Sequence, residues 1–168
     1  MYQINGYKFK VLVDTREKKS SIIEYFNRHN IPYVMQKLEV GDYSICILDG
    51  EEELDCSKQF SIERKANLDE LIQNVARKEY RRRFLNELQY AKNLGTRLEL
   101  IIEEPDWYSK IIKQDYYSQT PMKAVRGYMA EFQQIYGLTI TGVEKKYSGA
   151  YVMDRLIYFA KEYINKNL

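Results

Sequence analysis

In Gln59-Phe60-Ser61-Ile62-Glu63-Arg64-Lys65-Ala66-Asn67-Leu68-Asp69-Glu70 the chain changes its period from two residues to 3.6. Residues 60–65 alternate faces as a strand does, which sets Glu63 and Lys65 on one side and Arg64 on the other. Asn67 then offers a side-chain acceptor to the first free N–H groups of a helix, and Glu70, three residues on, completes a capping box. The spacing predicts one helix over residues 68–93, and it carries Arg77, Lys78, Arg81, Arg82 and Arg83. A strand that runs directly into a long helix is the building unit of an α/β sheet.

The same alternation extends in both directions. Upstream, residues 7–13 begin with apolar and polar residues in turn and end in an apolar run, a strand that stops at Asp14. Ser21 and Glu24 have capping-box spacing, and Ile22, Ile23 and Phe26 share a face, so a helix is predicted over 20–30. Strands over 33–38 and 43–48 follow, separated by Gly41-Asp42, and Asp49-Gly50 marks a turn. Glu51-Glu52-Glu53 reads as the solvated tip of a hairpin, since consecutive side chains on an extended segment point apart. Downstream, residues 98–102 form an apolar run suited to a buried strand, whereas 107–118 show no clean period. Thr120-Pro121 reads as an N-cap with proline at the first helical position, ahead of an apolar stripe from Val125 to Tyr136 that Gly137 ends. A last strand over 138–143 and a last helix over 151–165 complete the chain. The expected fold is α/β, a mixed central sheet flanked by helices, in a single domain over residues 1–168.

Composition excludes several classes of function. The 168 residues include 26 Lys+Arg and 24 Asp+Glu, and a net charge of +2 names no partner, because nucleic-acid binding needs a basic patch and not a basic total. Two cysteines, Cys46 and Cys56, make neither a disulfide framework nor a zinc site, and the single His29 argues against a histidine metal site. His29 and both thiols are expected to be structural. No run approaches the ~20 apolar residues that a bilayer span needs, and the first residues lack the order of a secretory signal, so the expectation is an intracellular protein without a membrane partner.

The chemistry lies in the acidic residues at strand ends. Asp14 follows one buried strand, Asp42 precedes the next and Glu63 sits inside a third, so three carboxylates are expected to converge at one end of the sheet. Like charges repel and lose hydration when gathered, which a fold tolerates when a cation or a proton neutralises them. Carboxylates without His or Cys favour hard cations, Mg2+ or Mn2+, and phosphate chemistry is the usual purpose of such a site. Lys65, on the same face as Glu63, places an ammonium group where it orients an attacking water and offsets charge in the transition state. An acid followed at a distance by acid-x-lysine on a strand is the layout of restriction-endonuclease-like nucleases.

Taken in order, Val13-Asp14-Thr15-Arg16-Glu17, Gly41-Asp42-Tyr43 and Glu63-Arg64-Lys65-Ala66-Asn67-Leu68-Asp69 resemble the V-D-x-R-E, G-D-Y and E-R-K-x-x-x-D blocks of the XPF family of structure-specific DNA endonucleases. Arg83-Phe84 resembles that family's basic-aromatic element, and the resemblance spans about residues 8–160. It implies a restriction-endonuclease-like fold and metal-dependent cleavage of flaps, forks and junctions, with a 5′-phosphate and a 3′-hydroxyl as products. It also implies Asp14, Asp42 and Glu63 as metal ligands for Mg2+ or Mn2+, and Lys65 as the residue that positions water. Arg16, Glu17, Arg64 and Asp69 are its supporting residues, with Arg16 or Arg64 facing the scissile phosphate. Asp69 is equally explained as an acid in the first turn of a helix. The basic segment Arg77, Lys78, Arg81, Arg82 and Arg83 is the expected DNA contact.

Relatives in that family usually carry a tandem helix-hairpin-helix module, for which 168 residues leave no room, so the expectation is a compact stand-alone nuclease of the kind a phage or mobile element encodes. A C2 homodimer or another protein partner is expected from the resemblance and from the tyrosine-rich last helices. Most of the 16 tyrosines are expected to pack, with Tyr116-Tyr117 the pair suited to stacking on unpaired bases. Two alternatives stand beside the nuclease. One is a catalytically silent module that binds branched DNA; the other is a sequence-specific restriction-type nuclease or a junction resolvase.

Overall fold

The computed structural model describes residues 3–168. Its eight strands are β1 (Gln3–Ile4), β2 (Tyr7–Asp14), β3 (Tyr33–Gln36), β4 (Tyr43–Asp49), β5 (Glu52–Asp55), β6 (Phe60–Lys65), β7 (Arg97–Ile102) and β8 (Thr139–Gly142). The helices are α1 (Ser21–Arg28), α2 (Leu68–Ala76), α3 (Lys78–Leu94), α4 (Trp107–Lys113), α5 (Met122–Gln134) and α6 (Ser148–Asn167), the last preceded by a 3₁₀ turn, Lys145–Tyr147. The strands form one mixed sheet in the order β1-β2-β4-β6-β7-β8, with β3 added to β2 and β5 to β4. The β2–β4 and β4–β6 pairs are antiparallel, while β2–β3, β6–β7 and β7–β8 are parallel. Sheet and helices alternate as the sequence implies, and the fold is α/β in one domain.

The two sheet faces carry separate cores, as the period of two requires. Val11, Val13, Ile45, Ile47, Phe60 and Ile62 pack with Ile22 and Phe26 of α1 and with Val152, Leu156 and Ala160 of α6. Leu98, Leu100 and Ile102 of the neighbouring strand pack with Leu71, Ile72, Phe84, Leu88, Met129 and Phe132 of α2, α3 and α5. Each fully buried aliphatic or aromatic side chain here contributes about 1.5–3 kcal/mol of transfer free energy. α6 comes close to α1 at Gly149, where any Cβ would lie 2.3 Å from Tyr25.

Several boundaries and caps differ from the sequence reading. The predicted helix over 68–93 is two helices, broken at Arg77, whose backbone is extended (φ −113°, ψ 134°). No glycine or proline marks the break; the Arg81 guanidinium satisfies it by donating to the freed carbonyl of Val75 at 3.0 Å. The cap of α1 is Ser20 and not Ser21: Ser20 Oγ accepts from Ile23 N, while Ser21 donates to Glu103. Asn67 caps α2 as predicted, accepting from Glu70 N at 2.9 Å, and Glu70 reaches back to Ala66 N. Thr120 does not cap α5, because its hydroxyl is shared with Ser118, and Pro121 stands at the cap. Residues without a clean period form α4 and then an ordered irregular segment. Glu52 and Glu53 belong to β5, and Glu53 pairs with Lys10 at 2.7 Å.

Candidate nuclease site

Main-chain hydrogen bonds draw three strand ends together. Asp14 N donates to Asp42 O, and Asp42 N donates to Ile62 O, each at 2.8 Å, so the ends of β2, the Gly41-Asp42 turn and β6 lie side by side. Gly41 has φ +73°, and a Cβ there would lie 2.4 Å from Ser61 Oγ; both facts require glycine at the close approach of this turn to β6. Asp42 is thereby fixed beside Glu63.

Asp42 is 9% exposed, and one carboxylate oxygen accepts from Arg64 N at 2.8 Å. Burial, then repulsion from Glu63, pushes its carboxyl well above the usual carboxylate range. Lys65, 8% exposed, holds Glu63 Oε1 at 2.8 Å. Burial alone would lower the Lys65 ammonium, but attraction to and hydrogen bonding with Glu63 outweigh it and raise the pKa, so the group keeps its proton and its charge at neutral pH and acts as a hydrogen-bond donor. Its Nζ also lies 5.7 Å from the Phe84 ring centroid, which ties the basic-aromatic element to the site.

Asp14 is engaged differently from Asp42. It is fully buried; Oδ1 accepts from Arg16 N at 2.9 Å and Arg16 Nε at 2.6 Å, and Oδ2 accepts from Leu38 N at 2.8 Å. Burial would raise its pKa, but these bonds outweigh that and lower it. Three of the roughly four acceptor positions of a carboxylate are therefore in use. Among the described residues no three Asp, Glu, His or Cys side chains stand close enough together to enclose a metal ion by themselves, so the expected convergence of Asp14 with Asp42 and Glu63 is partial. The donor chemistry still fits a hard divalent cation. Mg2+ characteristically takes one or two carboxylates and completes its shell with water and substrate phosphate, and a double positive charge would relieve the repulsion that raises Asp42.

Sequence reasoning missed Glu87. It projects from α3, accepts from Gly41 N at 3.4 Å, and is raised by burial and then by Glu63. Its signal was present: Arg83, Glu87 and Tyr90 recur at helical spacing, but a helix phased through Arg77 hides that face.

Arg64 and Glu17 lie in a second network. The guanidinium meets Glu103 Oε2 at 2.8 Å and Glu17 Oε2 at 3.5 Å on the face of β6 opposite Glu63 and Lys65. Glu103 Oε1 also accepts from Ser21 Oγ at 2.5 Å and Ser148 Oγ at 2.6 Å, and Glu17 accepts from Tyr43. Arg64 thus gives the site its main-chain N–H, while its side chain holds Glu103, the acid that takes the hydroxyls of Ser21 in α1 and Ser148 in α6; Arg16 is left as the guanidinium beside the acids. Asp69 accepts from Tyr117 N at 2.8 Å and so anchors the irregular segment. Tyr117 is 91% exposed, whereas Tyr116 is half-buried and bonded to Thr120 O.

The basic segment is not one patch. Arg81 is held by Val75 O and by Tyr128, whose hydroxyl it approaches to 2.7 Å. Arg77 and Arg83 lie over the Tyr80 ring at 5.6 and 5.9 Å. Lys78 and Arg82 line a groove with Gln89, and Arg83 lines a different cleft with Arg16 and Glu87. His29 closes α1 against Tyr25, and burial pushes the Cys46 and Cys56 thiols up to about 11 and about 12, so both stay protonated.

A family model described as the ERCC4 domain matches residues 13–156, which includes every strand-end acid above. The chain belongs to the ERCC4 domain family. Its fold is that of two solved structures from Aeropyrum pernix. "XPF from Aeropyrum pernix, complex with DNA" matches at 17% identity with a TM-score of 0.64, and "XPF from Aeropyrum pernix" at 15% with 0.62. These matches cover 92% and 93% of this chain, which spans about two thirds (66% and 67%) of those chains. A search of curated protein sequences returns no match. No helix among the described residues is long and apolar enough to cross a membrane.

Proposed function

We propose that this ERCC4 domain is a divalent-metal-dependent DNA endonuclease that cleaves at branches between paired and unpaired DNA. One observation supports it most: Asp42, buried and pushed up by its neighbours, lies beside Glu63, with a charged Lys65 held 2.8 Å from that carboxylate. A structural role leaves such repulsion unexplained, whereas a phosphodiesterase needs it to bind a cation. One of the two solved relatives is a complex with DNA, which supports DNA as the substrate class.

Asp42 and Glu63 would hold a divalent cation, Mg2+ or Mn2+, which when bound would supply positive charge to the phosphate and acidify water. Asp14 offers its one remaining acceptor position and keeps Arg16 in place. Lys65 donates to the attacking water and to the charge that develops on the phosphate. The Nη groups of Arg16 face the phosphate, since Nε is already given to Asp14. Water oxygen bonds to phosphorus as the bond to O3′ breaks, leaving a 5′-phosphate and a 3′-hydroxyl. Asp69 supports the site through the 117 segment, and Glu17 and Arg64 support it through β6. Two copies related by a two-fold axis belong to this reading; a monomeric mass by light scattering removes that element.

The test is cleavage of flap, fork, four-way junction and plain duplex DNA with Mg2+, with Mn2+ and with chelator. Branched substrates are nicked only with metal, and Asp42→Asn lowers the rate by at least about 10²-fold while DNA affinity stays within about twofold. Wild type that binds forks and never cuts them is the silent module, and discrete fragments from plain duplex identify a restriction-type enzyme.

A further inference from the structure

We propose that the cleft between residues 37–39 and α3 is a track for one unpaired DNA strand, which it delivers to the acidic site. The inference rests on DNA being the substrate, as argued above, and specifies which part of the DNA is held and where.

The cleft has a volume of about 820 Å³, and two of its lining residues, Arg16 and Glu87, also belong to the site. Lys37 lies on one wall and Arg83, Asn86 and Tyr90 on the other. Both cations are exposed, and among the described residues neither Lys37 nor Arg83 forms an ion pair. Unpaired cations beside an open cleft are suited to phosphates, and they release counterions when phosphates bind.

Size and shape select a single strand. A volume near 820 Å³ lies within the range of sites that take small ligands, about 300–1,000 Å³, which suits a few unpaired nucleotides. Residues 83, 86, 87 and 90 form one stripe of α3 about 10 Å long, the span of about three stacked nucleotides. Tyr90 is 43% exposed, and its hydroxyl donates to Glu39 Oε2 at 2.5 Å, a bond from one wall to the other that fixes the ring. A fixed, exposed aromatic face is useful to a base only when that base is unpaired. The basic residues Lys78 and Arg82 line another groove and are outside this track.

Fluorescence anisotropy in chelator, at constant low salt, tests the track without turnover. The probes are a labelled oligo-dT, a duplex with a single-stranded arm and a blunt duplex. Lys37→Glu with Arg83→Glu weakens binding of oligo-dT and of the armed duplex about tenfold or more, and the blunt duplex changes by less than about twofold. Tyr90→Ala weakens the same two probes about fivefold or more, and Tyr90→Phe, which keeps the ring but not its tether to Glu39, weakens them less than Tyr90→Ala does. All three positions are exposed, and thermal melting verifies that each variant folds. The track is overturned if these variants bind oligo-dT as wild type does, or if blunt duplex loses affinity equally. In that case wild-type cleavage of forks would still support the nuclease; a wild type that binds no DNA overturns both.

Discussion

On one face of β6, Arg64 meets Glu103 at 2.8 Å and Glu17 at 3.5 Å, and two serine hydroxyls complete the Glu103 carboxylate. On the other face Glu63 has Lys65, but Asp42 and Glu87 add two further acids, both raised by burial and by Glu63. Adjacent residues of one strand thus enter opposite environments, because the pleat sends them to opposite sides. The Arg64 side has a positive partner for its buried acid and binds α1 and α6 to the sheet. The Glu63 side has too little positive charge for its acids, and local deficits of that kind mark places where sequence is retained for function at the expense of stability.

The largest effect on stability is expected where the buried acid has a positive partner. Glu103→Gln leaves Arg64 buried with only the longer contact to Glu17, and unfolding free energy should fall by about 3 kcal/mol, the lower end for breaking a buried pair. Urea unfolding measures this, and a loss below about 1 kcal/mol would show that the Arg64 clamp is not the anchor described. Asp42→Asn should act in the opposite direction, leaving stability unchanged or higher as repulsion from Glu63 disappears. Equal destabilisation by both substitutions would erase the distinction between the faces.

A smaller effect separates the faces by pH. Burial raises the Glu103 carboxyl, but hydrogen bonds from Arg64, Ser148 and Ser21 outweigh it and hold the pKa below the usual value. Stability from that group is present above the ordinary carboxylate pKa and is lost as pH falls through the depressed one. Asp42 has the reverse sign: its raised pKa costs stability at neutral pH, and the cost disappears as pH falls through that value. In unfolding measurements from about pH 7 to about pH 4, the penalty of Glu103→Gln should persist until the acid end. The advantage of Asp42→Asn should shrink early. Parallel profiles for the two variants would contradict the assignment.

Much of this arrangement is legible in the sequence, for reasons that particular residues show. The period of two in 60–65 separates Glu63 and Lys65 from Arg64 without any coordinates, and Asn67 with Glu70 marks the start of α2. Gly41 marks a turn in the sequence, but only the packing against Ser61 shows why glycine is required. What was not legible depends on partners distant in the chain. The helix break at Arg77 is stabilised by Arg81, with no breaker residue to announce it. Glu103 reads as the polar end of a strand, and its role appears only when Ser21, Arg64 and Ser148 surround it. Glu87 joins the acids because α3 packs over β6, a matter of tertiary geometry.

The central claim is that the Glu63 face of β6 is electrostatically incomplete until a divalent cation binds. Thermal unfolding followed while Mg2+ or Mn2+ is added, at fixed ionic strength and without DNA, tests it directly. A cation that binds only the folded chain raises the midpoint with concentration. The account predicts such a rise for wild type and none for Asp42→Asn with Glu63→Gln; no rise in wild type, or an equal rise in the double variant, would contradict it.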